Sequence, residues 1–210
     1  MATESAHYFE PRNGHGLAHH PLTAIVGPRP IGWISSQGAS GMRNLAPYSF
    51  FNAFNYLPPI IGFSSIGWKH TVANIEATGE FVWNLATRPL ADAMNASAAH
   101  VPQEIDEFTL AHLTPVPSRL VVPPRVLESP VNFECKLTQL IRLQGVDQAP
   151  ADAWLVLGEV VAVHIDQHVL TNGVYDTALA QPILRGGGWG DYFDVLPESK
   201  FEMQRPDGPA

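Results

Sequence analysis

The stretch between Leu22 and Leu85 leaves almost no room for crossover connections. Five strand-like segments crowd into it: LTAIVG (Leu22–Gly27), IGWISS (Ile31–Ser36), NLAPYSFFNAF (Asn44–Phe54), PIIGFSS (Pro59–Ser65) and EFVWNL (Glu80–Leu85). Short Gly/Ser/Pro turns such as SQGASG separate several of them. Parallel neighbours need a crossover of about a dozen residues or more, whereas antiparallel neighbours need only a tight turn. The crowding therefore predicts an antiparallel barrel or sandwich, mainly β with flanking helices, and argues against βαβ units. Two later segments, NFECKLTQLIRL (Asn132–Leu143) and WLVLGEVVAVHI (Trp154–Ile165), extend the same sheet system.

Two helices fit between the strands. KHTVANIEATG (Lys69–Gly79) has Thr71 near its start and Gly79 as a stop. LADAMNASAAH (Leu90–His100) follows Pro89, which suits a first helical turn. The proline-rich segment Thr114–Pro130 reads as an extended crossing of the surface, because proline there blocks helix and central strand alike. Strands flank it on both sides, so it is not a domain boundary. The 210 residues read as a single domain with a core of about 22–192 and terminal extensions, the tail after Pro197 packing loosely.

Hydrophobic residues make up 45% of the chain and charged residues 15%, which supports a sizeable core and points to buried subunit contacts. The net charge of −8 disfavours a nucleic-acid partner. A phosphate-bearing ligand would need a local nest of donors against that acidic background. The single cysteine, Cys135, excludes an intrachain disulfide and a cysteine zinc cage, and reads as a small buried residue on a strand. The opening MATESAHYFEPRNGHG lacks the basic and apolar regions of a secretory signal, and no run is long enough to span a membrane. The cytoplasm is the expected compartment.

Several motifs invite sharper readings. RGGGWGDY (Arg185–Tyr192) resembles a dinucleotide fingerprint only superficially: that motif needs a preceding strand, a following helix and an acidic residue about twenty residues on, and here the sequence nearly ends. It reads instead as a glycine turn where backbone passes close to something. HIDQH would place His164, Asp166 and His168 on one face of a strand, but a strand running into a turn accounts for the pattern equally well, so no metal site is assigned. His15, His19 and His20 of GHGLAHH read as part of an edge segment.

The start of the Lys69–Gly79 helix combines free backbone N–H groups, a hydroxyl and a positive charge, which are the needs of a phosphate. A capped surface helix would explain it as simply on its own. The balance shifts with PRPIGWISSQGASGMRNLAPYSFFNAF, which supplies Arg29, Ser35, Ser36 and Asn44 around two strands and a glycine-rich turn. NLAPYSFFNAF itself mixes four aromatic residues with Pro47 and the uncharged Asn44, Ser49 and Asn52. An edge strand with a bulge explains the proline but not the neutral polar row. Neutral donors and acceptors beside apolar backbone suit a flat heteroaromatic ring such as a flavin.

Taken in order, PRPIGWISSQGASGMRNLAPYSFFNAFNYLPPIIGFSS, KHTVANIEATGEFVWNL, VNFECKL, GEVVAVHIDQHVL and PILRGGGWGDYF resemble the flavin reductase-like family of FMN-binding split-barrel proteins. The resemblance spans Leu22 to Tyr192. It implies a six-stranded FMN-binding split β-barrel with helices outside, assembled as a homodimer with FMN near the subunit interface. Carried over by motif, Asn44, Leu45, Ala46, Pro47, Ser49, Phe50, Phe51 and Asn52 would line the isoalloxazine ring. Arg29, Ser35 and Ser36 would flank the ribityl and phosphate region. Lys69, His70 and Thr71 would approach the phosphate, and Asn74 would brace that loop. His164 and the glycine turn, with Gly186 and Gly188, would shape an open face where a nicotinamide stacks. Many relatives carry an acidic residue where this chain has His70.

The implied activity is an NAD(P)H:flavin reductase, in which hydride passes from NADH or NADPH to FMN and then to free flavin, oxygen, iron or a partner oxygenase. Two alternatives stay open: an oxidase of the pyridoxamine-phosphate type, and a non-enzymatic flavin-binding electron carrier. No side chain is required as acid or base, and His164 is the one candidate for a catalytic role.

Overall fold

The computed structural model describes residues 6–206; the first five residues of the amino-terminal stretch and the last four of the tail lie outside the described residues. Seven strands form the main sheet: β1 Gly32–Gln37, β2 Arg43–Tyr48, β3 Phe51–Asn55, β4 Ile60–Ile66, β5 Glu80–Asn84, β6 Val131–Gln144 and β7 Pro150–Ile165. Their order across the sheet is β2-β1-β5-β6-β7-β4-β3, and every pairing is antiparallel. The helices are α1 His70–Thr78, α2 Ala91–Ala96 and α3 Glu107–Leu110.

The two edge strands, β2 and β3, are consecutive in sequence and joined only by Ser49 and Phe50. Laid flat, seven strands would hold those edges roughly 29 Å apart, at about 4.8 Å per gap. A two-residue link reaches only about 10 Å. The sheet must therefore curl until its edges approach, giving a split barrel. Aromatic contacts fill the interior. Tyr48 meets Phe63 at 4.5 Å between ring centroids, and Phe51 stacks on Trp83 at 5.5 Å. Ile34, Val72, Ile75, Phe81, Cys135 and Val156 complete this core. Burial pushes the Cys135 thiol well above its ordinary range, so it is an inert packing group.

The division of Asn44–Phe54 corrects the expectation of one continuous strand and raises the strand count from six to seven. It also explains Pro47: β2 is an edge, so a missing N–H costs no ladder bond on its open side. The corner is held by Arg29, whose Nε donates to the Ser49 carbonyl at 2.9 Å. The Leu22–Gly27 segment is not a strand. Leu22–Ile25 forms a helical turn, with Arg29 donating to the Thr23 and Val26 carbonyls beneath it. Leu22, Ile25 and Val26 stay exposed.

A second core lies on the outer face of β1 and β2. There Trp33 and Leu45 pack against Met94 of α2 and Phe108 of α3. The Trp33 indole donates to the Ser97 hydroxyl at 2.9 Å. The Leu90–His100 helix is shorter than the sequence suggests: a 3-10 turn at Arg88–Leu90 leads into α2, which ends at Ala96. Among the described residues no helix is long and apolar enough to cross a membrane.

The proline-rich segment crosses the outside of β5 and β6 as expected, and polar side chains of those strands tie it down. Glu134 accepts from the Arg119 and Leu120 amides at 2.8 and 2.6 Å. Glu80 accepts from Val122 N at 2.8 Å, and Asn84 from Val126 N at 2.9 Å. Asn132 returns a bond to the Val126 carbonyl at 3.2 Å. These side chains replace the ladder partners that proline-rich backbone cannot find.

Burial alone would push the Glu134 carboxyl up, but the two amides and His164 outweigh it and hold the group below the usual carboxylate range. Such a group stabilises the fold fully above the unfolded value of about 4.3 and loses that contribution as pH falls through its depressed folded value. Glu134→Gln is expected to lower stability near pH 7 by about 1.5–3 kcal/mol in denaturant titrations. The gap between variant and wild type should close as the pH is taken toward about 3. A gap that stays constant would show that the charge does not hold the segment.

Candidate functional site

Where β2 faces the turn from β4 into α1, the curled sheet leaves a cleft of about 290 Å³. Asn44, Ala46, Pro47 and Tyr48 of β2 form one wall, and Trp68, Lys69, His70 and Thr71 form the start of another. Residues 97–101, which follow α2, and Glu107 of α3 close the remainder.

Behind this cleft runs a buried network of uncharged groups. The Asn44 amide donates to the Thr71 hydroxyl at 2.9 Å and to the Ser36 hydroxyl at 3.4 Å. The Asn74 amide donates to the same Ser36 oxygen at 3.2 Å. The network links β1, β2 and α1, and it fixes Thr71 at the cleft wall.

The nine-residue α1 begins without a side-chain cap. Its first intrahelical bond is donated by Ala73 to the Lys69 carbonyl, so the earlier amides at His70, Thr71 and Val72 have no partner within the helix. Lys69 sits just before them, with its ammonium 5.9 Å from the centre of the Tyr48 ring. The Tyr48 hydroxyl is buried and has no hydrogen-bond partner among the described residues. Burial raises this phenol, against the opposing pull of the nearby Thr71 and Ser65 hydroxyls. An uncapped helix start, a cation and an orphaned phenol together form a ready anion site beside a neutral hydrogen-bonding wall.

Ser36, Asn44, Ala46, Pro47, Lys69, His70, Thr71 and Asn74 thus come together at the cleft and in the network behind it. The other candidates lie elsewhere. Ser35 is fully buried with its hydroxyl unpartnered, and strand alternation turns it away from Ser36. Leu45 packs in the second core. Beyond Tyr48 the chain has turned the corner. Phe50 lies under the Arg29 guanidinium, Phe51 stacks on Trp83, and the exposed Asn52 accepts from Ala53 N. Neither Ser49 nor any of these borders the cleft.

Arg29 acts on the framework. Besides Thr23, Val26 and Ser49 it reaches the Gly186 carbonyl at 3.2 Å, which ties the helical turn, the corner and the glycine turn together. His164 bonds Glu134 at 2.6 Å on the outer face, away from the cleft. β7 ends at Ile165, and Asp166 starts a 3-10 turn, so the alternate facing of His164, Asp166 and His168 is lost. Among the described residues no three potential metal ligands gather.

The glycine turn does not hold space open for a second ring. A Cβ on Gly187 would lie 2.4 Å from that of Ala24, and one on Gly186 would lie 2.6 Å from the Phe193 ring. The turn wraps Arg185, which donates to the Gly187 and Asp191 carbonyls at 3.0 and 2.8 Å. These glycines permit close internal packing.

Sequence reasoning missed Trp68, the 97–101 wall and Glu107. Trp68 stands directly before Lys69 and was open to the same reading. Asp106 has an N-cap signature, and it accepts from Phe108 N at 3.0 Å. Nothing local, however, connects Glu107 to residues sixty positions earlier.

A match to the flavin reductase like domain model covers residues 27–181. An uncharacterized protein of Aquifex aeolicus is 34% identical over 188 residues, 87% of this chain and 92% of its own. The structure resembles nitrilotriacetate monooxygenase component B from Bacillus cereus, with a TM-score of 0.81 at 31% identity, covering 97% of this chain and 98% of that one. A split barrel domain protein of Shewanella frigidimarina shares the fold, with a TM-score of 0.77 at 23% identity, covering 95% and 94%. The sheet whose edges are joined at Ser49 and Phe50, the polar wall behind the cleft and these likenesses converge, and the chain belongs to the flavin reductase like family.

Proposed function

We propose that the protein is an FMN-binding oxidoreductase that takes hydride from NADH or NADPH and passes the electrons to a separate acceptor. The observation that carries this reading is the cleft beside α1. It joins uncapped helix amides and Lys69 to a wall of neutral amides and hydroxyls.

The residues present fit FMN. A phosphate monoester matches the α1 amides, the Lys69 ammonium and the Thr71 hydroxyl, and the orphaned Tyr48 phenol offers a further donor. Asn44, itself donating to Ser36, donates to the Thr71 hydroxyl oxygen, so that the hydroxyl hydrogen is free to turn toward a ligand. Ala46 and Pro47 give apolar cover of the kind a ring needs. When bound, the flavin supplies the two-electron acceptor for a nicotinamide hydride. The chain's own part is to bind, to orient and to exclude water. No side chain in the cleft has to move a proton to carbon.

A homodimer fits the same reading. Ile66, Trp68 and Ile141 are exposed apolar residues, and Trp68 packs against Trp154 at 5.1 Å. Because Trp68 also borders the cleft, a second copy on this face would help to close it. The likeness to a protein named as a monooxygenase component supports a partner oxygenase, with free flavin as the other candidate acceptor. The reading places the protein in the cytoplasm, where reduced nicotinamides are available.

Three outcomes test this. Lys69→Ala should weaken FMN binding about ten- to a hundredfold, the worth of one charge-assisted hydrogen bond, and leave riboflavin binding nearly unchanged. Equal losses for both would assign Lys69 to folding or to the ring. Light scattering of the FMN-loaded protein at micromolar concentration should give twice the chain mass, and a monomer would remove the dimer. Mixed with NADH or NADPH without oxygen, the FMN-loaded protein should lose its flavin absorbance. Absorbance that persists with both nicotinamides would leave the carrier or oxidase activity instead.

A further inference from the structure

Glu107 is the acidic side chain on the cleft wall, and nothing in the reading above gives it a task. It opens α3, is 5% exposed, and accepts from the Leu45 amide at 3.1 Å with one carboxylate oxygen. Its neighbour Asp106 is already engaged, capping α3 and pairing with Arg43. No cationic side chain bonds Glu107 among the described residues. The charged and titratable groups around it are Lys69 and His70 at the start of α1, His100 after α2, Asp106 with Arg43, and the Tyr48 phenol. Burial raises the Glu107 carboxyl, the Leu45 amide and its own amide pull back, and Asp106 and His70 then act in opposite senses.

On the reading that this cleft takes FMN, we propose that Glu107 makes it select flavins by charge: a phosphate-bearing flavin enters with a proton on the Glu107 carboxyl, and an unphosphorylated flavin enters without one. Glu107 and the α1 start from Lys69 to Thr71 line one cleft of about 290 Å³, the volume of a sphere roughly 8 Å across. A phosphate carries about −1.5 to −2 charges near neutral pH. At that separation an ionised carboxylate inside a protein weakens its binding by about tenfold or more. Protonation removes the repulsion and supplies an O–H donor. Riboflavin brings no charge and leaves the Glu107 proton equilibrium alone.

The sign follows from linkage. The bound phosphate raises the Glu107 carboxyl above its value in the free cleft. As pH rises through that interval, FMN affinity falls by up to tenfold per pH unit, then levels off.

The test is the dissociation constant of FMN and of riboflavin across about pH 5.5–8.5 for wild type and Glu107→Gln, by flavin fluorescence. The amide keeps an oxygen for the Leu45 N–H and cannot titrate. The variant should bind FMN about tenfold more tightly than wild type at the alkaline end and show a shallower pH slope. Riboflavin should bind both proteins equally at each pH. The phosphate's own ionisation is present in both proteins, so the difference between their profiles reports the Glu107 carboxyl. Identical FMN profiles would overturn the proposal, as would a riboflavin change equal to that for FMN. A wild type that binds neither flavin would fail the cleft reading itself. If Glu107→Gln does not fold, calorimetry of FMN binding to His70→Asn protein in two buffers of different ionisation enthalpy serves instead. Proton uptake should appear within the range, and its absence at every pH would overturn the proposal.

Discussion

Two residues, Ser49 and Phe50, join the opposite edges of a seven-stranded sheet, and most of the structure follows from that short link. Edges that a flat sheet would hold roughly 29 Å apart must come together, so the sheet curls and its aromatic residues meet across the interior. The seam cannot close as a regular ladder, because β2 carries Pro47 and the chain turns sharply after Tyr48. What remains at the seam is a cleft with free donors on its rim. The corner carbonyls still need partners, and Arg29 and Ser64 N provide them at Ser49 and Phe50.

The same accounting of polar groups explains the outer face. Glu80, Asn84, Asn132 and Glu134 look out of place on strands that also carry Phe81, Trp83, Phe133 and Cys135. Alternation sends the apolar set inward and the polar set outward, where a proline-rich segment lacks ladder partners. Their bonds to its amides and carbonyls cover this sheet face with a segment whose own pairing is limited to a short ladder between Pro115–Val116 and Arg125–Val126. His164 belongs to this arrangement through Glu134, which gives it a framework part outside the cleft.

Around the cleft, charge is unevenly distributed. Lys69 and the unpaired amides of α1 favour an anion, while Glu107 opposes one from the same enclosure. Between them stand Asn44, Ser36, Thr71 and Asn74, which are neutral and already oriented by one another. In the proposed reading, such a site would discriminate among ligands of similar shape by the charge they carry, because each ionisation is felt at short range.

Some of this was legible in the chain. Crowded strands with short turns fixed an antiparallel architecture, because no other connection fits those lengths. The Lys69–Gly79 helix was marked at both ends, and the structure places it at His70–Thr78 with Gly79 as its stop. The oddity of polar groups among rings named Asn44, which lines the cleft, but also Ser49 and Asn52, which do not. Local signals failed where distant contacts decided. Leu22–Gly27 is apolar enough for a strand, but Arg29 draws its carbonyls into a helical turn. The glycines at 186 and 187 suggested open space, but Phe193 and Ala24 occupy it. Tyr48 is buried with its hydroxyl unpartnered among the described residues, near Lys69, and Glu107 gave no signal of the cleft at all. Sequence sets which groups must be buried or paired, through periodicity and backbone chemistry. Which distant group answers each need is decided when the sheet curls, since only then do residues such as Leu45 and Glu107 come within hydrogen-bonding distance.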